Sequence, residues 1–412
     1  MDIFGFSIIL ILIAVVAFEF FVERINRNYI KKMCSNPPKE IFRFYTVEIL
    51  TKSAKYFESK NNIETYAKIL HYIIFISFLI LGTFQRFSSE ILNIFENEYI
   101  RAVLFFTGYQ LFFAILELPF DIYQTFKIEK EYNFNRTKPF VFIKDIIINA
   151  LLSFIIITIL LSIVIAFINA SGNYWNIYAS IAVIIFYIFL IYLYPVFVAP
   201  LFNKFEPLKN KELESKIFAL AKKAGFSIKN ILQMDASKRS SHSNAFFTGF
   251  GKNRRIVLYD TLLQKHSDEE ILAILAHEIG HYKRKHIHKS IIFMVILTFI
   301  FFYIAGFLIN TNFVYNALGF EKTVFTGLFI ISIILSPLGI IIKPIFLYLS
   351  RKHEYEADKF ALLLINDKET IINTLIKLHK DNLAYPLPHP LYVKLHYSHP
   401  PLIKRIEYLK FL

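Results

Sequence analysis

Long apolar runs alternate with basic, mixed-polarity stretches along this chain, and the runs set the first constraint on its fold. A helix needs about 20 mostly apolar residues to cross the hydrocarbon core of a bilayer. Runs of that kind lie at 3–22, 69–85, 102–120, 146–170, 175–200, 289–310 and 323–349, which predicts seven transmembrane helices. The last holds Pro337, Lys343 and Pro344, so a kink is expected there, with the lysine facing protein or water. Residues 201–288 are mixed in polarity. A helical period near 210–225 stops at Gly225, and strand-like runs follow at 228–234 and 254–259. From about 350 the pattern is that of a helical tail outside the membrane. The expected class is mainly α. The chain divides into a five-span scaffold (1–200), an insert (201–288), a two-span hairpin (289–349) and a tail (350–412).

Composition agrees with a membrane class, at 55% hydrophobic and only 19% charged residues. A formal net charge of +14 would also suit a nucleic-acid binder, but no base-reading module is present. The cations are also unevenly spread. Ten Lys or Arg fall in 22–68 and five in 121–145, against two in 86–101, none in 171–174 and one in 311–322. That alternation follows the positive-inside rule. It places the N-terminus outside and the insert and tail in the cytosol, with membrane lipid as a partner and nucleic acid as none. Residues 1–22 lack a basic leader and a good A-x-A site, so they read as a retained span. The lone Cys34 leaves no intramolecular disulfide, and nothing around it suggests a catalytic thiol.

The chemistry concentrates in Ala276-His-Glu-Ile-Gly-His281. Ser267, with Glu270 three residues on, forms a capping box, and Lys283, Arg284 and Lys285 suit the other end of the same helix. His277 and His281 then stand one turn apart on one face, as two imidazole ligands of Zn2+ must. Glu278 projects beside them, placed to take a proton from water. Ala273, Ala276, Ile279 and Gly280 keep this helix slim and apolar. A hydrolytic zinc site takes three protein ligands and keeps one position open. In the tail, Glu354 and Asp358 share a helical face with Ala357 and Ala361. Glu354 is the expected third ligand, and Asp358 the acceptor that orients a ligand imidazole. Glu356 points elsewhere. Among the other nearby histidines, His242, His266, His288 and His353 stand in no telling spacing. His286 is off the ligand face, close enough only to support it from behind.

Further segments follow in a fixed order: Glu117-Leu-Pro-Phe-Asp-Ile-Tyr, Tyr194-Pro195, Pro200-Leu-Phe-Asn-Lys-Phe, Ser237 through Gly249, and Ser398-His399-Pro-Pro-Leu-Ile-Lys-Arg405. Together with the two metal motifs, this order resembles the type I CAAX prenyl proteases, integral-membrane zinc metalloendopeptidases. The resemblance implies seven helices around a water-filled chamber and a cytosolic zincin-like domain built from insert and tail, with one zinc per chain. The implied reaction is removal of the last three residues after a prenylated cysteine, or cleavage of membrane and misfolded proteins. Asn244 would hold substrate backbone along an extended edge that ends at Gly249 and Gly251, and His399 and Arg405 would line the cleft and stabilise the oxyanion. On the residues alone, Asn244 also reads as a loop asparagine and His399 as a surface histidine. The compact length favours a bacterial inner membrane, the endoplasmic reticulum being the location in a eukaryote. Two other readings stay open. One is a heat-shock-type membrane metalloprotease, which has fewer spans; the other is a non-enzymatic channel or chaperone with a structural zinc.

Overall fold

The computed structural model describes residues 2–248 and 254–412. Met1 and residues 249–253 lie outside that description, and with them the expected end of the edge at Gly249 and Gly251. Apolar length dictates the main elements. Among the described residues, seven helices are long and apolar enough to cross a membrane: Ile3–Ser35, Val47–Ile80, Glu98–Glu131, Pro139–Ala170, Gly172–Phe202, His286–Leu308 and Val324–Ile365. Each coincides with one expected run, and most extend well past it. The first has 33 residues, roughly 50 Å of helix against a hydrocarbon core of about 30 Å. The basic stretch 22–68 is therefore mostly rod, continuing the first two spans out of the membrane.

Irregularities fall near prolines, which cannot donate a helical hydrogen bond. The third and fifth spans end in π turns, Gln124–Ile128 and Tyr194–Val198, following Pro119 and containing Pro195. The expected kink of the last span is a 3-10 turn at Ser336–Leu338. Pro344 is carried inside the next helix, Gly339–Ile365, and Lys343 Nζ lies 3.5 Å from His396 Nδ1. That helix runs unbroken from apolar residues through Glu354, so position 350 lies inside a rod rather than at its end.

The insert builds β1 (Phe205–Pro207), β2 (Asn230–Met234), β3 (Ala245–Thr248) and β4 (Arg255–Tyr259), which form a sheet in the order β1-β2-β4-β3. The two expected strand runs are β2 and β4, paired in parallel with Asn230 opposite Arg255. The expected helix is Lys211–Lys223, and Gly225 past its end takes φ +59°, a turn that favours glycine.

Among the described residues, the two largest apolar cores involve different ends of the spans. One gathers Phe84, Phe105, Val314, Phe325 and Phe329. The other joins Ile256 and Leu258 of β4 to Ile271, Leu275 and Ile279, to Ile372 and Leu402 of the tail, and to Ile30 and Leu50 on the protruding ends of the first two spans. Between these ends, His71 Nδ1 of the second span pairs with Glu117 Oε1 of the third at 2.8 Å, both partly exposed. Ionisable side chains on membrane-spanning helices face protein or water rather than lipid.

The contact that positions the site is between the helix Asp268–Lys283, which carries the histidine motif, and Gly339–Ile365. A Cβ placed on Gly280 would stand 3.0 Å from both Cα and O of Ala357, and Ala276, Ala357 and Ala361 are fully buried. Gly280→Ala is expected to force the helices apart at a cost of about 1–3 kcal/mol. Thermal unfolding in detergent checks this; an unchanged Tm would mean the helices have room to spare.

Candidate metal centre

The histidine helix starts as its sequence dictates. Ser267 Oγ accepts from Glu270 N, and the Glu270 carboxylate accepts from Ser267 N. One turn apart on that helix, His277 Nε2 and His281 Nε2 approach to 3.1 Å. Glu354 reaches in from the neighbouring helix, with Oε2 3.4 Å from His277 Nε2 and Oε1 3.2 Å from His281 Nε2. Its Oε2 is buried and accepts no hydrogen bond among the described residues.

Proton positions define what these atoms offer. Asp358 Oδ1 lies 2.8 Å from His277 Nδ1. Arg405 engages both Asp358 oxygens, through Nε at 2.8 Å and Nη2 at 2.6 Å. An ionised carboxylate only accepts, so the His277 proton is on Nδ1 and Nε2 presents a lone pair. A second relay does the same for His281. Glu356 Oε2 lies 3.1 Å from His286 Nε2, which carries the proton and leaves Nδ1 an acceptor. His281 Nδ1, 3.0 Å from that atom, is then the donor, and His281 Nε2 presents a lone pair as well. With His277 neutral, two imidazole lone pairs and a carboxylate face one point, a repulsive arrangement relieved by a metal ion or, without one, by a second proton on His277. Two nitrogens and one carboxylate oxygen form a donor set that zinc takes in hydrolytic sites. The residues present fit the ion.

Glu356 does point away from the ligands, toward His286. His286 comes within reach because Lys285 takes φ +56°, a left-handed turn that sets His286 beside His281. The His353 ring stacks on His286 at 4.0 Å.

A cavity of about 620 Å³ opens onto the triad, bordered by Asn244, Glu278, His379, His399 and Arg405. His399 Nε2 is 3.3 Å from Glu354 Oε1. Asn244 is exposed just before β3, its Oδ1 accepting from Ala245 N at 2.8 Å. Arg405 borders the cavity, as expected, but its guanidinium is also engaged by Asp358, with Nη1 3.5 Å from Glu354 Oε2, and it is only 5% exposed. Glu278 joins none of the contacts that tie the ligands together. Burial raises the Glu278 pKa, and His277 and His281 only partly offset this.

Sequence reasoning overlooked His379, on Lys368–Asp381. Its Nδ1 has no partner among the described residues, and burial, then Arg405 and His399, lower its pKa to about 3. Nothing in its spacing marks it. His242 stacks on Phe134 and lies 2.9 Å through Nδ1 from Asn382 Oδ1, tying the approach to β3 to the tail. His266 sits against Glu270 at 3.1 Å, next to the helix cap.

Residues 207–411 match the profile of Peptidase family M48, and residues 26–204 that of the CAAX prenyl protease N-terminal region with five membrane helices. A CAAX prenyl protease 1 homolog of Arabidopsis thaliana is 36% identical over 379 residues, covering 90% of this chain and 89% of the relative. That of Homo sapiens is 34% identical over 355 residues, covering 76% and 74%. The crystal structure of S. mikatae Ste24p superposes with a TM-score of 0.93 at 28% identity, covering 99% of both chains.

Two outcomes follow from the proton positions. With no cation bound, burial alone would lower the His277 pKa, but the carboxylates of Asp358 and Glu354 beside it outweigh burial and raise the value to about 9. A metal must displace that proton. Apparent affinity should therefore climb by up to ~10-fold per pH unit below pH 9 and level off above it, as measured by chelator competition. His286→Ala should weaken metal retention by roughly 10–100-fold in the same competition; full retention would mean His281 needs no acceptor behind it.

Proposed function

The chain belongs to peptidase family M48 and is a membrane metalloendopeptidase, and we propose that it cuts peptide bonds at a zinc ion held by His277, His281 and Glu354. Zinc in that position would supply Lewis acidity and lower the pKa of water toward neutrality. The remaining steps belong to the chain. Glu278 takes a proton from the attacking water and passes it to the leaving amine. Its raised pKa suits both tasks, since a buried carboxylate holds the proton more readily than a solvated one. His399, whose pKa is lowered by desolvation where it borders the cavity, donates to the oxyanion that develops on the scissile carbonyl. Asn244 binds substrate backbone where β3 begins. Arg405 acts through Asp358, fixing the His277 tautomer, rather than on substrate.

The observation that carries this reading is the convergence of two imidazole lone pairs and Glu354 on one point bordering a cavity that also holds Glu278. The substrate class follows from what the relatives are called: proteins ending in a CAAX sequence, prenylated at the cysteine. Apolar residues of the cavity wall, Phe57, Leu375, Leu378 and Tyr385, support a place for the lipid next to the scissile bond. The distribution of Lys and Arg supports an outer N-terminus and a cytosolic active site, with membrane lipid around the spans. A purely structural metal would have no need of Glu278, which argues against a channel or chaperone.

Glu278→Gln should keep its metal and lose about 10²–10⁴-fold in turnover. Release of the tripeptide from a farnesylated CAAX peptide, with and without chelator, measures this beside metal content. Undiminished cleavage by the variant would remove Glu278 from the mechanism, and chelator-resistant cleavage would remove the metal.

A further inference from the structure

A second cavity, of about 220 Å³, lies apart from the ligands. Phe246, Phe247 and Thr248, three consecutive residues of β3, all border it. Side chains along a strand alternate between faces, so a space touched by three in succession lies beside the strand rather than over one face. One side of β3 is taken by β4, with Phe246 opposite Val257 and Phe247 opposite Ile256. Among the described residues nothing pairs with the other side. The cavity therefore adjoins the open edge. Its facing wall is Tyr282 and Lys285, at the C-terminal end of the histidine helix.

The catalytic cavity is built from the same two elements. Asn244 and Ala245 border it on the β3 side, and Ala273, His277 and Glu278 on the helix side. Both spaces thus belong to one cleft between the open edge and the histidine helix. Tyr282 and Lys285 follow His277 by five and eight residues, roughly 8–12 Å of helix. An extended peptide covers that distance in about three residues.

Resting on the peptidase reading above, we infer that this cavity is a specificity pocket for a large apolar side chain of the substrate, about three residues from the scissile bond. Peptide backbone that adds to the β3 edge beside Glu278 must continue along the cleft. One of its side chains then meets Ile191, Tyr194 and Pro195 from the fifth span and Ile287 from the sixth. Lys285 and His288 also border the space, but most of its lining is apolar or aromatic, and among the described residues no carboxylate lines it to pair with a cationic side chain.

The test uses farnesylated CAAX peptides varied between Gly, Leu and Phe at each of the three positions after the cut and at the second and third positions before it, the farnesylated cysteine being kept. The wild type should favour Leu or Phe over Gly by about 10-fold in kcat/KM at one outlying position. Ile287→Trp, which fills the cavity, should bring that preference close to one while the Gly peptide is cut within about twofold of the wild-type rate. Tyr194→Ala, which widens the wall, should shift the preference toward Phe. Absence of a preference at every position, or one unchanged by Ile287→Trp, overturns the pocket while leaving the peptidase intact. Failure of the wild type to cut even the Gly peptide would instead sink the reading on which it rests.

Discussion

Contact between Gly280 and Ala357 holds two helix backbones close enough for Glu354 to meet His277 and His281. A carboxylate side chain is short, and a helix pair separated by ordinary side chains packs 8–10 Å apart. Small residues on both helices remove that spacing. The sheet, the protruding ends of the first two spans and the tail helices all pack around the same pair, so the apolar core chiefly serves to hold one distance.

Electrostatics finishes what packing begins. Each ligand imidazole is backed by an acceptor, Asp358 for His277 and His286 for His281. The two supports differ in kind. Asp358 is a buried carboxylate offset by Arg405, whereas His286 is a neutral ring held by Glu356. Both rings are thus held in position with their Nε2 atoms inward before any ligand arrives, so that binding an ion costs the His277 proton rather than a rearrangement of the rings.

Much of this was legible in the sequence because its causes are local. An apolar run long enough to cross a bilayer has few alternatives, and all seven runs coincide with helices. The histidine pair and Ser267 declare themselves by helical spacing, and so do Glu354 and Asp358. Relations made by the tertiary path were not legible. His286 is off the ligand face of its neighbours until Lys285 turns the backbone left-handed, and lysine gives no signal of that conformation. The role of Arg405 came only with the resemblance, and only the fold reveals that Asp358 engages its guanidinium. His379 reaches the cavity from a helix bearing no motif. The continuation of the first two spans into the catalytic core was hidden because its residues are too polar to count as membrane and too far from the motifs to count as site.

The unbroken helix from Gly339 to Ile365 has a consequence for biosynthesis. A ribosome completes His277 and His281 well before it reaches Glu354, and this third ligand arrives on a rod whose other half lies in the last apolar span. A nascent chain, or one left stranded outside the lipid, owns a histidine pair and no complete site. Completion of the triad is thereby tied to the placement of that last span.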